Sequence, residues 1–127
     1  MTFPADLKYS AEHVWVKAEG ATAKLGISDF AQDQLGEILY VDLPAVGKEF
    51  AAGDIFTEVE SSKTTSEVAI PVSGKVVAVN DELDDAPEDI NENPYGCWII
   101  ELELANPAEL DALLSADDYE AGLDIEE

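Results

Sequence analysis

Two stretches of the chain repeat each other 27 residues apart, and this repeat restricts the folds that the chain can adopt. Residues 44–54 align with residues 71–81, and five of the eleven aligned positions are identical. The alignment also places Gly53 opposite Asn80, and asparagine is the residue that best replaces glycine in left-handed backbone geometry. A duplicated unit of this kind predicts two similar β units related by a pseudo-twofold axis. The intervening residues, 55–70, are then expected to cross between the units as a hairpin.

The centre of the predicted hairpin falls between Ser62 and Lys63. Lys63 is the only basic residue between Lys48 and Lys75, and its immediate neighbours are small hydroxyl residues. Most lysines on turns are simply solvated, but a lysine at the tip of a hairpin on a symmetry axis is displayed to other proteins. A primary amine can form an amide with a carboxylic acid cofactor. The sequence therefore predicts that Lys63 is an attachment point at the apex of the fold.

Two other roles are open to Lys63. A Schiff-base catalyst needs a buried amine or a neighbouring cation, and the sequence places neither at this turn. The chain also shows no Ser/His/Asp set, phosphate-binding loop or paired-carboxylate site, so we expect a protein that is not an enzyme. A pure interaction module without a cofactor is the remaining alternative, and it would tolerate replacement of Lys63 by arginine.

Short alternating segments dominate the rest of the chain. Val14 and Val16, and then Ala23, Leu25 and Ile27, alternate with polar or charged residues, which is the period of half-buried strands. Many short strands with small helices at the edges indicate a mainly β fold, either a compact barrel or a sandwich. No low-complexity linker divides the chain, so one domain over residues 1–127 is expected. Further strands are predicted at 38–43, 55–59, 68–70, 76–79 and 98–104.

Capping residues mark short helices at the edges of this β fold. Ser28 can cap a helix that Gly36 ends. Asn106, followed by proline, marks a second helix start, and Ser115 can open a further helical turn. The tail, residues 124–127, is expected to fray. Three leucines after Asn106 fall on one helical face: Leu110, Leu113 and Leu114.

The charge balance excludes several classes of function. The chain has 29 acidic residues against six lysines and no arginine, for a net charge of −23. Because binding to phosphates needs cations, we expect no nucleic-acid partner. No apolar run is long enough to span a membrane, and the N-terminus lacks a signal-peptide pattern, so a monomeric cytoplasmic protein is expected. The acidity predicts solubility, with electrostatic docking to basic enzymes or adaptation to a salty cytoplasm as alternatives.

No metal site is predicted. Cys97 is the only cysteine, which rules out an internal disulfide or a cysteine zinc site. His13 is the only histidine, and a lone histidine near a strand is more often structural than a metal ligand. Acidic residues cluster at 81–89 without the ligand spacing of an EF-hand. This stretch is therefore predicted to be a solvated loop, and Cys97 is predicted to pack in or near the core.

The residues around Lys63 resemble the lipoyl and biotinyl carrier domains, and in particular the H-protein family of the glycine cleavage system. As in the attachment hairpin of that family, Glu60 stands three residues before the lysine and Gly74 eleven residues after it. Gly47, sixteen residues before the lysine, completes a symmetrical frame. The resemblance covers nearly the whole chain, including residues 9–15, 26–32, 35–37 and 41–44, together with Val79, Asn80, Asn91 and residues 94–96.

The flanking residues favour lipoate over biotin. Biotin carriers typically place methionines beside their lysine, whereas Ser62 and Thr64 stand there in this chain. The resemblance therefore implies lipoate attached covalently to Lys63. It also implies a barrel-sandwich hybrid fold with short flanking helices, including one at the C-terminus. The residues implied in recognition and geometry of the hairpin are Glu60, Ser61, Ser62, Thr64, Glu67, Gly47 and Gly74.

The resemblance implies a carrier that serves several enzymes. A lipoate ligase or lipoyltransferase would load Lys63. The lipoyl arm would then collect an aminomethyl group from glycine decarboxylase and deliver it to aminomethyltransferase, and dihydrolipoamide dehydrogenase would reoxidise the dithiol. Such an arm works by raising the local concentration of the cofactor at successive active sites, and the sulfur chemistry belongs to the cofactor.

Several positions depart from the family pattern near the expected cleft for the arm. Val14 stands where the family has a glutamate associated with holding the amine of the loaded arm, and an aliphatic side chain cannot make that charge-assisted bond. Glu12, two residues away on the same strand face, could replace it. Gln34 stands in place of a common histidine, Glu67 in place of aspartate, and the loop at 96–98 is one residue short.

These departures leave a second role open within the same family. H-like lipoate-binding proteins also serve heterodisulfide-reductase-like complexes in sulfur oxidation, where they carry sulfur or acyl intermediates. A carrier of that kind would not need the amine-holding acid. Glycine cleavage is the first expectation, and sulfur oxidation is the alternative.

Overall fold

The structure is a computed structural model that describes residues 4–10 and 13–122. These residues form nine strands with short helices at the edges. The strands are β1 (Lys8–Tyr9), β2 (Val14–Glu19), β3 (Thr22–Ile27), β4 (Ile38–Val41), β5 (Glu49–Phe50), β6 (Ile55–Ser61), β7 (Thr65–Ala69), β8 (Gly74–Val79) and β9 (Ile100–Leu104). The helices are α1 (Asp29–Leu35), α2 (Glu82–Asp85), α3 (Asp89–Glu92), the 3₁₀ helix η1 (Pro107–Ala112) and α4 (Ala116–Ala121).

The strands form two antiparallel sheets. Sheet A has six strands in the order β1-β2-β3-β9-β8-β5, and sheet B has three in the order β4-β6-β7. Residues from both sheets share one hydrophobic core, which includes Val16, Leu25 and Leu102 of sheet A and Val59 and Val68 of sheet B. Burying one such side chain stabilises the fold by about 1.5–3 kcal/mol. The predicted mainly β fold with short flanking helices is confirmed.

A second cluster covers the opposite face of β2. Trp15 lies between the core residues Val14 and Val16, points away from the main core, and packs with Tyr9 and Tyr119. The indole Nε1 of Trp15 donates to the carbonyl of Pro94 at 3.0 Å. The C-terminal helix α4 is therefore part of the folded domain. No helix in the described part of the chain is long and apolar enough to cross a membrane.

The two repeated stretches pair with each other. Strands β5 and β8 are antiparallel neighbours in which Glu49 faces Lys75, and the predicted hairpin between the repeats exists as β6 and β7. The expectation for Asn80 is wrong. Gly53 has a positive φ of 96°, whereas Asn80 does not have a positive φ. The repeats therefore match in strand pairing but not in turn conformation.

The helix predicted from Ser28 and Gly36 is confirmed as α1, and the helices predicted near the C-terminus are confirmed in part. The Ser28 hydroxyl accepts from the backbone N–H of Ala31, and Gly36 ends α1 with φ of 81°. The segment after Asn106 is a 3₁₀ helix rather than an α-helix, and a separate helix α4 follows Ser115. The predicted fraying of residues 124–127 lies outside the described residues.

The prediction of a solvated loop for the acidic stretch at 81–89 is wrong. It contains α2 and the start of α3. Each of these short helices buries one apolar side chain, Leu83 in α2 and Ile90 in α3, while the acids remain on the outside. Leu83 and Ile90 thus attach these helices to the main core.

Candidate functional site

Lys63 lies at the tip of the β6–β7 hairpin, in the turn between Ser61 and Thr65. The turn is closed by Ser61, whose N–H donates to the carbonyl of Thr64 at 2.8 Å. The Ser61 hydroxyl also accepts from the backbone N–H groups of Lys63 and Thr64, and donates to the Thr64 carbonyl. Ser61 is buried while Ser62, Lys63 and Thr64 are exposed. The tip is therefore a defined turn that presents the lysine.

A second contact fixes the tip against the body of the domain. The N–H of Ser62 donates to the carbonyl of Glu37 at 2.9 Å. The aliphatic stem of Lys63 lies over Gly36, so that a β-carbon added at Gly36 would come within 3.1 Å of Lys63 Cε. The hairpin tip is thus held by the segment that joins α1 to β4.

The Lys63 amine is available for acylation. It is on an exposed residue, and in the described part of the chain no carboxylate lies within ion-pair distance of it, since the ion pair found there joins Lys17 and Glu19. The stem lies against Gly36 on one side. A displayed amine on a fixed turn is what an amide-linked carboxylic cofactor requires, so the residues present fit such a group.

Acidic side chains surround the hairpin on sheet B. Glu60 and Glu67 are exposed, and Glu67 lies opposite the exposed Glu58 across the β6–β7 pair. Like charges that face each other across strands are mildly destabilising. The lysines of the chain other than Lys63 lie in or next to strands of sheet A: Lys8, Lys17, Lys24, Lys48 and Lys75. The apex of the hairpin therefore carries a strongly negative face with Lys63 as its single cation among the described residues.

The two glycines of the predicted frame lie away from the tip. Gly74 begins β8, where a β-carbon would come within 2.6 Å of the carbonyl oxygen of Glu103. Gly47 has a positive φ of 96° and donates to the carbonyl of Val76 at 2.7 Å. Both residues belong to the β5–β8 edge of sheet A and not to the turn around Lys63. The structure brings together Glu60, Ser61, Ser62, Lys63 and Thr64, with Glu67 further along β7.

Asn91 also belongs to this region, although no role was predicted for it from the sequence. Its side chain, in α3, donates to the carbonyl of Gly36 at 2.7 Å and to Gln32 Oε1 at 2.9 Å, and accepts from the N–H of Ile38 at 2.8 Å. These bonds span the segment that holds the hairpin tip. No local pattern reveals them, because they join positions more than fifty residues apart.

The residues predicted to line a cleft for the arm do not lie together on one surface of the described structure. Val14 is fully buried in the main core, at 0% exposure, and so does not face an arm on the surface. Gln34 is exposed on α1. Glu12, the suggested substitute for the missing acid, lies outside the described residues.

His13 is part of a polar network with Tyr119 and Ser28. Its Nδ1 is 2.7 Å from the Tyr119 hydroxyl, which is 2.7 Å from the Ser28 hydroxyl. Burial raises the pKa of Tyr119, and the bond to Ser28 partly opposes that shift. Within residues 4–10 and 13–122 no group of histidine, cysteine and carboxylates is placed to hold a metal ion.

Cys97 is half-buried against the main core, as predicted. Burial raises the pKa of its thiol, and Asp89, Glu82 and Glu92 raise it further. A raised pKa keeps the thiol protonated and unreactive at neutral pH. Cys97 is therefore a packing residue.

A lysine displayed at the tip of a sheet B hairpin, in a fold of two antiparallel sheets, defines a carrier-type domain. The comparisons with known proteins identify its family. The family model of the glycine cleavage H-protein matches residues 7–126. The glycine cleavage system H protein of Carboxydothermus hydrogenoformans is 53% identical over 124 residues, which cover 97% of this chain and 95% of that protein. The corresponding protein of Listeria innocua is 54% identical over 125 residues, covering 98% and 100%.

A solved structure agrees with this assignment. The crystal structure of a glycine cleavage system H protein from Mycobacterium marinum matches the fold with a TM-score of 0.84 and 37% sequence identity, covering 94% of this chain and 99% of that chain. The chain belongs to the glycine cleavage H-protein family, a family of lipoyl carriers, and its fold is the barrel-sandwich type. These relatives bear the glycine cleavage name, so the comparisons give no support to the sulfur-oxidation alternative.

Proposed function

We propose that this chain is a non-enzymatic carrier of the glycine cleavage system with lipoate amide-linked to Nζ of Lys63. The observation that carries the proposal is the geometry of Lys63, an exposed amine on a turn fixed by Ser61 and Glu37. Membership of the H-protein family supports both the cofactor and the system it serves.

The chain contributes position and charge rather than chemistry. When bound, the lipoyl group supplies a reversible disulfide that can accept an aminomethyl group and electrons. Forming the amide removes the positive charge of Lys63, which leaves the acids Glu60 and Glu67 to define the field at the apex. A negative apex favours partners whose active-site entrances are basic.

Each hairpin residue has a role in this proposal. Glu60, Ser62, Thr64 and Glu67 are exposed and would contact the lipoate ligase or lipoyltransferase, while Ser61 sets the shape of the turn. Gly47 and Gly74 would act at a distance, through the sheet edge that supports the hairpin. A modifying enzyme then reads the shape and charge of the hairpin as well as the lysine.

The partners proposed for the loaded protein are glycine decarboxylase, aminomethyltransferase and dihydrolipoamide dehydrogenase. We place the protein in the cytoplasm as a monomer that visits these enzymes in turn. Transient visits suit a small, strongly negative carrier, because charge accelerates encounter without requiring a large interface.

The experiment compares Lys63→Arg with the matched control Lys75→Arg, each co-expressed with a lipoate ligase. Lys75 lies in β8, and the control changes a lysine of the same chain away from the hairpin tip. We expect wild type and Lys75→Arg to be lipoylated and to support exchange of labelled bicarbonate into glycine by glycine decarboxylase. Lys63→Arg should lose both while its circular dichroism stays unchanged.

Two outcomes would contradict the proposal. Exchange supported by Lys63→Arg would show that the lysine is not the carrier and would favour an interaction module. Covalent trapping of a carbonyl compound on Lys63 by borohydride, without lipoylation, would favour a Schiff-base enzyme.

A further inference from the structure

We propose that Asn91 is a positioning residue for the modification of Lys63, acting through the segment of residues 36–38. The inference rests on the proposed attachment of lipoate at Lys63. Among the described residues, no side-chain hydrogen bond joins Asn91 to Lys63 or to the hairpin. It bonds to the backbone on both sides of Glu37, and Glu37 in turn accepts the N–H of Ser62.

The bonds of Asn91 specify an amide side chain. The Gly36 carbonyl can only accept and the Ile38 N–H can only donate, so one end of the side chain must be a donor and the other an acceptor. Asn91 meets both needs, with Nδ2 at 2.7 Å from the Gly36 oxygen and Oδ1 at 2.8 Å from the Ile38 nitrogen. An aspartate of the same shape could accept from Ile38 but, when ionised, would place a negative oxygen against the Gly36 carbonyl.

The segment of residues 36–38 needs the support of these hydrogen bonds. It leaves α1 through Gly36, whose φ of 81° and ψ of −151° belong to a region open almost only to glycine. The segment then enters β4 at Ile38. Because Gly36 has no side chain to anchor it, the conformation of this exit depends on bonds made by its backbone, and Asn91 supplies one on each side of Glu37.

Asn91 is itself attached to the hydrophobic core through its neighbour in α3. Asn91 is in α3, next to Ile90, which is fully buried at 0% exposure in the main core. The third bond of Asn91, from Nδ2 to Gln32 Oε1, runs to α1 and lies outside this support. The path from the core to the lysine therefore runs through Ile90, Asn91, the 36–38 segment and Ser62.

The consequence concerns recognition rather than reactivity. Without the two bonds from Asn91 to Gly36 and Ile38, the Glu37 carbonyl is free to move. The hairpin tip then loses the support of its hydrogen bond from Ser62 to Glu37. Lys63 would stay exposed and reactive toward small reagents. A modifying enzyme must instead bind the whole tip in one conformation. If the tip samples several conformations, the KM of the modifying enzyme rises or its kcat falls.

The first test uses the wild-type protein. Native-state hydrogen exchange should show equal protection of the Ser62 and Ile38 amides. Both amides are expected to open together, because the bonds of Asn91 hold the segment to which both are bonded. Exchange of Ser62 more than about tenfold faster than Ile38, which corresponds to about 1.4 kcal/mol, would overturn the coupling.

The second test uses Asn91→Asp, with Gln32→Ala and Asn106→Ala as controls. Gln32→Ala removes the bond from Asn91 to α1 and the bond from Gln32 to Asp29, neither of which reaches the 36–38 segment. Asn106→Ala removes an asparagine cap at η1. We expect lipoate ligase to modify Asn91→Asp with kcat/KM lower by about tenfold, and both controls to stay within about twofold of wild type. Acetylation of Lys63 by a small reagent should be equal in all four proteins.

The outcomes separate this inference from the proposed function. Wild type that is not lipoylated at Lys63 contradicts both. Wild type that is lipoylated, with Asn91→Asp modified equally well or with Gln32→Ala equally impaired, contradicts the inference alone. If Asn91→Asp does not fold, the wild-type exchange experiment decides the matter by itself.

Discussion

The aliphatic stem of Lys63 passes over the α-carbon of Gly36, at a distance that leaves room for a hydrogen but hardly for a methyl group. A β-carbon at Gly36 would lie 3.1 Å from Lys63 Cε and 3.4 Å from Cδ. The residue that ends α1 thus also forms the surface on which the displayed lysine rests.

This contact predicts two separable effects of Gly36→Ala. The positive φ of Gly36 should cost the variant about 1–3 kcal/mol in free energy of unfolding, measured by urea denaturation. The added methyl should also displace the lysine stem and slow lipoylation. Gly53→Ala is the control, because Gly53 also has a positive φ but open space around it. It should lose stability and keep the wild-type rate of lipoylation, and an equal slowing in both variants would contradict the role of the contact.

Burial of Val14 predicts that restoring the family's acid here destabilises the fold. Val14→Glu would place a carboxyl in the main core, at an expected cost of about 3 kcal/mol at pH 7. Burial raises the pKa of such a carboxyl above its usual value of about 4.3. The folded state then binds the extra proton, so stability should fall as pH rises from 5 to 8.

The control for this experiment is Val14→Ala, which leaves a cavity but adds no titrating group. Its loss of stability should be the same at pH 5 and pH 8. A Val14→Glu protein that is as stable as wild type at pH 8, with faster glycine–bicarbonate exchange, would show that an arm cleft reaches this position.

Buried tyrosines predict a loss of stability in alkali. Burial raises the pKa of Tyr9, helped by the neighbouring Tyr95, and burial is also the main cause that raises the pKa of Tyr95 to about 12. Above the usual tyrosine pKa of about 10 the unfolded chain releases protons that the folded chain keeps. Stability from these groups is therefore complete below pH 10 and is lost as pH rises toward 12.

Tyr9→Phe isolates the contribution of one of these tyrosines. The variant loses the bond from the Tyr9 hydroxyl to the Pro4 carbonyl and should be less stable at pH 8. Its further loss between pH 10 and pH 11 should be smaller than that of wild type, as followed by urea denaturation. Parallel curves for the two proteins across this range would contradict the assignment.

The negative apex predicts salt-sensitive docking. Glu58, Glu60 and Glu67 are exposed beside the lysine, and the Debye length falls to about 3 Å at 1 M salt. The association rate of the lipoylated protein with glycine decarboxylase should therefore fall as salt is raised. Glu60→Gln should weaken this dependence, whereas Glu19→Gln on sheet A should not, and equal effects of the two would argue against a directed face.

The sequence predicted the parts of the fold that local patterns encode. Alternation located β2, β3 and β9, because alternate apolar residues of each strand, such as Val14 and Val16 in β2, enter the main core. The capping residues located α1. The repeat located the hairpin and its tip, since the two copies must pair around it. Lys63 followed from symmetry and from its isolation among small residues.

What the sequence missed depends on contacts between distant parts of the chain. Strands β1 and β5 have two residues each, too few to show a period. Helices α2 and α3 each bury one apolar residue within an acidic stretch, so their composition resembles that of a loop. The role of Asn91 depends on backbone groups more than fifty positions away, and the burial of Val14 gives that position a packing role that resemblance alone did not predict.

The most direct test of the central claim is the mass of the protein made together with a competent lipoate ligase, followed by peptide mapping of the adduct. We expect one lipoyl group per chain, located on Lys63. An unchanged mass, or an adduct on any other lysine, would contradict it.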